Sequence, residues 1–224
     1  MIKIPSQVSV PGFWLLVLIH LVAIQYGFLW LHFITKPLLM PALVLILLDA
    51  GVKADGKGLI VTGLFFSWLG DVFLLFESRN PMFFIFGLAS FLITHACYII
   101  FFLSIKSVAP SLLKKHPLYI LLILGYGAGL VWLIFPYLGQ LKIAVTVYAA
   151  IICSMVLCSI HVYQKVKAPA NRYFVSGAVL FVLSDSILAV NKFYRPMPLA
   201  GIWIMLIYCA AQFFIVRGLL EKGK

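Results

Sequence analysis

Six of the 224 residues are acidic, and two of these stand deep inside runs that are otherwise apolar, small or hydroxylic. Asp71 lies in GLFFSWLGDVFLLF (Gly63–Phe76) and Asp185 in FVLSDSILAV (Phe181–Val190). An ionisable group in hydrocarbon is costly and nearly always faces a bundle interior or a wet cavity. Two carboxyls that approach one another there cannot both be ionised cheaply, so one keeps its proton beside the charge of the other. A carboxylic acid held beside a carboxylate is equipment for general acid–base catalysis.

Other polar side chains are spaced to share such a cavity. His95 and Tyr98 are three apart, and Tyr208 and Gln212 four apart, so each pair occupies one helix face. Ser184 precedes Asp185, Lys192 follows it by two helical turns on the same face, and Ser67 lies one turn before Asp71. Hydroxyls and amides also tie membrane helices together by hydrogen bonds, which is the competing role for Ser67, Ser184 and Gln212. A zinc hydrolase needs several His or carboxylate ligands converging on one point. His20, His32, His116 and His161 are scattered, without H-x-x-H or H-x-x-x-H spacing, so neither a metal nor another cofactor is expected. The sequence also lacks a Gly-rich phosphate loop and a G-x-S-x-G elbow. Cys97, Cys153, Cys158 and Cys209 all fall in apolar runs and read as small buried hydrophobes.

The elements that hold these residues follow from composition. The chain is 64% hydrophobic and 10% charged, with a mean hydropathy of +1.14. Soluble domains carry about 25% charged residues, so this is an integral membrane protein, read as one membrane domain over 1–224. No run alternates apolar with polar residues as barrel strands do, and the fold class is therefore all-α, a polytopic helical bundle. Eight spans are expected, at 13–34, 37–50, 59–76, 82–103, 117–135, 140–163, 173–193 and 199–220. Trp14 and Trp30 bracket the first like interfacial anchors.

A net charge of +11 would point to nucleic acid in a soluble chain. Here the basic residues sit in the connections, which is a topology signal, and nucleic acid is not an expected partner. Twelve, Lys3 and Lys53 among them, fall on the side of the termini, against Lys36, Arg79, Lys142, Lys192 and Arg195 on the other. Both termini are therefore expected in the cytoplasm, with the inner membrane as the location in a bacterium. No cleavage site follows the first apolar run, so a removable signal peptide is not expected. The second span, opened by Thr35 as cap and Pro37 as first residue, offers only about 21 Å of helix at 1.5 Å per residue. That shortness leaves Lys36 either below the outer surface, inside the bundle, or snorkelling to the headgroups.

Sliding the chain against itself by 114 residues lays Asp71 on Asp185, Gly63 on Gly177 and Gly87 on Gly201. Val61–Tyr98 then matches its counterpart at nine of 38 positions. An even number of spans separates the copies, so an internal repeat here is expected to be four plus four in parallel orientation, with both aspartates at one depth.

Five motifs in order, TKPLLMP, GLFFSWLGDVFLLF, FGLASFLITHACY, GAVLFVLSDSILAVNKF and YCAAQFFI, give the chain a further reading. Together they resemble the YhhN family of lysoplasmalogenase-like membrane proteins, across essentially all eight spans. The resemblance implies hydrolysis of the vinyl ether of a lysoplasmalogen, a lysophospholipid, to a fatty aldehyde and a glycerophospho-ethanolamine or -choline. It also implies that Lys36, Asp71, His95, Tyr98, Ser184, Asp185, Lys192, Tyr208 and Gln212 occupy the family's motif positions. Vinyl ethers hydrolyse by protonation of the carbon beta to oxygen, so the expected catalytic pair is Asp71 and Asp185, working as carboxylates do on a glycosidic oxocarbenium ion. The other seven are the expected substrate-binding set, with Lys36, Lys192 or His95 on the phosphate and apolar helix walls around the chain. Two other classes fit the same residues: a proton-coupled carrier of a lipid or small solute, and a non-catalytic lipid-binding membrane protein.

Overall fold

In hydrocarbon every backbone N–H and C=O must find its partner within the chain, so apolar runs of this length fold as helices. A computed structural model describes residues 6–52 and 54–224; Lys3 and Lys53 of the topology count lie outside them. The long helices are α1 (Ser6–Gln25), α2 (Leu29–Asp49), α3 (Lys57–Leu75) and α4 (Met82–Ser104). After the one-turn α5 (Leu112–Lys115) come α6 (Leu118–Ile134), α7 (Lys142–His161), α8 (Ala170–Ala189) and α9 (Ala200–Lys222). Among the described residues seven helices are long and apolar enough to cross a membrane, and Val10–Gln25 is a shorter apolar helix, in keeping with eight helices in the bundle. The chain is an all-α, multi-pass integral membrane protein, with no strand among the described residues.

The first two helices correct the expected boundary. The chain turns at Gly27, whose φ of +68° a residue with a Cβ adopts only under strain, and α2 starts at Leu29. Thr35 is therefore no cap and Pro37 no first residue: both lie inside a 21-residue helix that also contains Pro41. Internal prolines are tolerated in membrane helices when neighbours satisfy the freed groups. Lys36, expected at an outer helix end, sits in mid-helix and is buried. Trp30 is exposed at the start of α2, but Trp14 packs on Phe13 and Phe213.

A second correction concerns Lys192. Two α-helical turns would put it above Asp185, but after Ala189 the chain widens into a π-helical turn, Val190–Tyr194, closed by Arg195 N donating to the Val190 carbonyl over 3.0 Å. Lys192 falls inside that turn rather than two regular α-helical turns from Asp185, and its exposed ammonium pairs with Glu77 and lies over the Phe84 ring.

Small residues set the two tightest helix pairs. A Cβ on Gly63 would lie 2.4 Å from the Tyr98 ring of α4, and one on Gly177 would meet Ile215 and the Ala211 carbonyl of α9. Because short connections turn each long helix back on the one before, α1–α2, α3–α4, α6–α7 and α8–α9 are all joined at the end of the bundle opposite the termini.

Candidate active site

Each aspartate carries a tyrosine and a basic side chain, drawn from three different helices. Tyr208 of α9 donates its hydroxyl to Asp71 Oδ2 over 2.8 Å, and Lys36 Nζ of α2 lies 3.9 Å from Asp71 Oδ1. Tyr148 of α7 donates to Asp185 Oδ2 over 2.5 Å, while His95 Nε2 of α4 lies 2.9 Å from the Tyr148 oxygen and 3.4 Å from that same Oδ2. The single hydroxyl hydrogen of Tyr148 goes to Asp185, so His95 must be the donor in its own bond to Tyr148. The other ring nitrogen of His95, Nδ1, is buried without a partner. Removing Tyr148 would therefore unseat two groups at once.

Both carboxylates line one cavity of about 210 Å³. Lys36, His32, Glu77, Ser184 and Tyr208 line it too, so it holds three acidic side chains, one lysine and an imidazole. Glu77 comes from the α3–α4 connection, which puts the cavity at the bundle end away from the termini. Against it lies an apolar pocket of about 60 Å³ between α4, α6, α7 and α8, sharing Leu74, Phe91, Asp185 and Leu188 with the polar cavity. Asp185 is the one acidic side chain among the residues lining that second pocket. The two acids also differ in access: the Asp71 side chain is 3% exposed and that of Asp185 14%.

The remaining expected site residues separate into three places. Ser184 lines the polar cavity, although its hydroxyl is taken by the Ile204 carbonyl at 3.0 Å and bridges α8 to α9. Tyr98 and Gln212 stand outside the cavity lining, in a directional chain. Tyr98 donates to Gln212 Oε1 over 2.6 Å, Gln212 Nε2 donates to Ser67 Oγ over 2.7 Å, and Ser67 reaches Thr94 over 3.1 Å. Thr94 closes the chain on the Gly63 carbonyl at 3.0 Å. The network joins α3, α4 and α9, and each of its side-chain oxygens is engaged. Lys192 lines neither cavity.

Sequence reasoning missed Tyr148, Glu77 and His32. Tyr148 sits in the run KIAVTVYAA with nothing to distinguish it from a packing tyrosine. Glu77 was findable, being one of six acids in the chain and six residues past Asp71. His32 precedes Lys36 by four residues, a spacing that puts both on one face once they are known to share a helix. Among the described residues no three His, Cys, Asp or Glu side chains converge as metal ligands would.

With the geometry in view, comparison with known proteins supplies the relatives. The YhhN family profile matches residues 31–219. The lysoplasmalogenase TMEM86A of Bos taurus is 33% identical over 169 residues, 73% of this chain and 65% of its own length. The lysoplasmalogenase TMEM86B of Sus scrofa is 30% identical over 187 residues, covering 83% and 74%. A membrane protein YhhN of Escherichia coli O6:H1 is 26% identical over 191 residues, covering 85% and 88%. The chain thus spans just under two thirds of the bovine relative it matches. No solved structure matches it.

Proposed function

Because the chain belongs to the YhhN family, we propose that it is a hydrolase of the lysoplasmalogenase type. It cleaves the vinyl ether of a single-chain plasmalogen to a fatty aldehyde and a glycerophospho-ethanolamine or -choline. The observation that carries this reading is the position of Asp185 on the boundary between a polar cavity and an apolar pocket. The bond to be broken has the same setting in the substrate, between a charged headgroup and a hydrocarbon chain. A lipid seated with its phosphate near Lys36 and its chain in the apolar pocket brings the alkenyl carbons to Asp185.

The chemistry balances with these residues and one water. Asp185 Oδ2 is occupied by Tyr148 and faces His95, which leaves Oδ1 for the catalytic proton. That proton moves to the carbon beta to the ether oxygen, the double bond shifts, and an oxocarbenium ion forms. The charges of Asp185, now a carboxylate, and of Asp71 stabilise it, as paired carboxylates do in glycosidases. Water adds to the cation and returns a proton to Asp185, and the hemiacetal collapses to alcohol and aldehyde. Lys36 balances Asp71 and draws the phosphate. His95 and Tyr148 hold Asp185 in place, and Tyr208 does the same for Asp71. Tyr98, Gln212, Ser67 and Thr94 fix the helices behind the site.

In the same reading both termini are cytoplasmic, and the cavity opens toward the non-cytoplasmic leaflet. The 114-residue offset is an internal repeat; it is supported by the bond between Tyr98 and Gln212, two residues 114 apart that meet as paired positions on a pseudo-two-fold axis would.

The test is turnover of a 1-alkenyl lysophosphatidylethanolamine by purified protein in D₂O, with the aldehyde trapped as it forms. One deuterium on its alpha carbon is expected, since carbon protonation draws on exchangeable acid. Absence of turnover, with proton-coupled lipid flux in proteoliposomes, would replace the hydrolase with a carrier.

A further inference from the structure

The apolar pocket beside Asp185 does not end inside the bundle. At about 60 Å³ it falls far short of a ligand site, which typically takes about 300–1,000 Å³. It backs onto a groove of about 520 Å³ between α6 and α7, and the two share Gly127, Val131, Ala149 and Cys153. The two spaces therefore abut along these four residues. At Gly127 a Cβ would come within 2.6 Å of Cys153 Sγ, so the helices meet there only because that side chain is absent. The groove is lined almost wholly by apolar groups, its polar ones being the Trp132 indole N–H and the Thr146 hydroxyl, the latter spent on the Lys142 carbonyl at 2.7 Å. Of α6 only Gly127 and Ile134 are buried; leucines and Trp132 turn outward. The helix is therefore a wall held mainly along one seam.

We propose that the α6–α7 seam is a lateral portal that admits the hydrocarbon chain of a single-chain phospholipid from the bilayer to Asp185. The proposal rests on the lysophospholipid-hydrolase reading and names the path its substrate takes. Reaching Asp185 through the polar cavity would drag every methylene of the chain past water, Lys36 and the acids, against the hydrophobic effect. Sideways passage keeps the chain among apolar groups throughout, and only the headgroup has to cross into the polar cavity. The order of the three cavities matches the lipid: headgroup, reacting bond, chain. Gly127 and Ala149 are the two smallest residues common to both apolar spaces, so a larger side chain at either would fill the junction.

The test uses an uncleavable probe, so it reads binding and not turnover. A lysophosphatidylethanolamine with a saturated ether-linked chain ending in a diazirine is added to the full-length protein in nanodiscs, photolysed, and mapped by peptide mass spectrometry. Adducts are expected on the α6 and α7 peptides holding Gly127, Ala149 and Cys153, competed by unlabelled lyso-lipid and not by diacyl lipid. They are lost in Gly127→Leu and, independently, in Ala149→Phe, each checked for monodisperse purification. Adducts on other helices, or α6–α7 adducts that diacyl lipid competes or that both plugs leave unchanged, overturn the portal. Specific adducts from a protein that releases no aldehyde keep the portal and refute the hydrolase.

Discussion

Asp71 and Asp185 are chemically alike and differently placed. One is sealed between Lys36 and Tyr208, and the other faces the apolar pocket with Tyr148 and His95 behind it. If Asp185 protonates carbon and Asp71 stabilises the cation, Asp185→Asn and Asp71→Asn each lower aldehyde release by about 10²-fold or more, the usual worth of a positioned acid or base. Either variant keeping a tenth of the wild-type rate removes its residue from the catalytic pair. Tyr148→Phe keeps the ring and deletes two hydrogen bonds, the one donated to Asp185 and the one accepted from His95, each worth about 0.5–1.5 kcal/mol. A fall of roughly 10- to 100-fold in kcat with little change in KM is expected, and an unchanged kcat would make Tyr148 a packing residue. Lys36 provides a stability test that is independent of turnover. Breaking a buried ion pair by removing one partner costs about 3–5 kcal/mol, whereas neutral replacement of both is far milder. Lys36→Met should therefore melt lower than the double variant Lys36→Met/Asp71→Asn in thermal unfolding in detergent; the opposite order would mean that Asp71 does not depend on Lys36.

At the scale of elements, the site depends on how closely α3 meets α4 and α8 meets α9. Gly177 faces the Ala211 carbonyl and the Ile215 backbone nitrogen at 2.9 and 3.1 Å from where its Cβ would be, and backbone gives way less readily than a side chain. Overpacking typically costs about 1–3 kcal/mol, so Gly177→Ala should lower the melting temperature. Gly125 on α6 has nothing within 4 Å, and Gly125→Ala should be neutral or stabilising. Equal effects at the two positions would show that the α8–α9 crossing is looser than described. The π-helical turn at Val190–Tyr194 acts at the same scale, since it sets where Lys192 leaves α8 to pair with Glu77.

For the whole molecule, the question is which leaflet the cavity meets. Glu77 in the α3–α4 connection lines it, so the cavity end and the termini lie at opposite ends of the bundle. With the termini in the cytoplasm, cysteines at Ser78 and Asn80 react with an impermeant thiol reagent on intact cells, and one at Ser107 does not. The reverse labelling would move the cavity to the cytoplasmic leaflet and leave the two-carboxylate chemistry standing.

The all-helical membrane architecture and six of the eight long helices could be read from the sequence, because hydrocarbon admits helices wherever an apolar run is long enough. Asp71 and Asp185 stood out for the same reason, a charge in hydrocarbon being too costly to be incidental. The α1–α2 boundary was not readable, because Thr35–Lys36–Pro37 imitates a helix start while the turn is made ten residues earlier by a backbone conformation at Gly27. Nor was the choice of partners. Tyr148, His95 and Asp185 come from α7, α4 and α8, and no spacing along one chain encodes which faces of three helices are packed together. The sequence by itself determined that two carboxyls must be sheltered in a membrane bundle. Only the packing of the helices decided that they share one cavity, that Asp185 borders an apolar pocket, and that Tyr98 and Gln212 are tied up behind them.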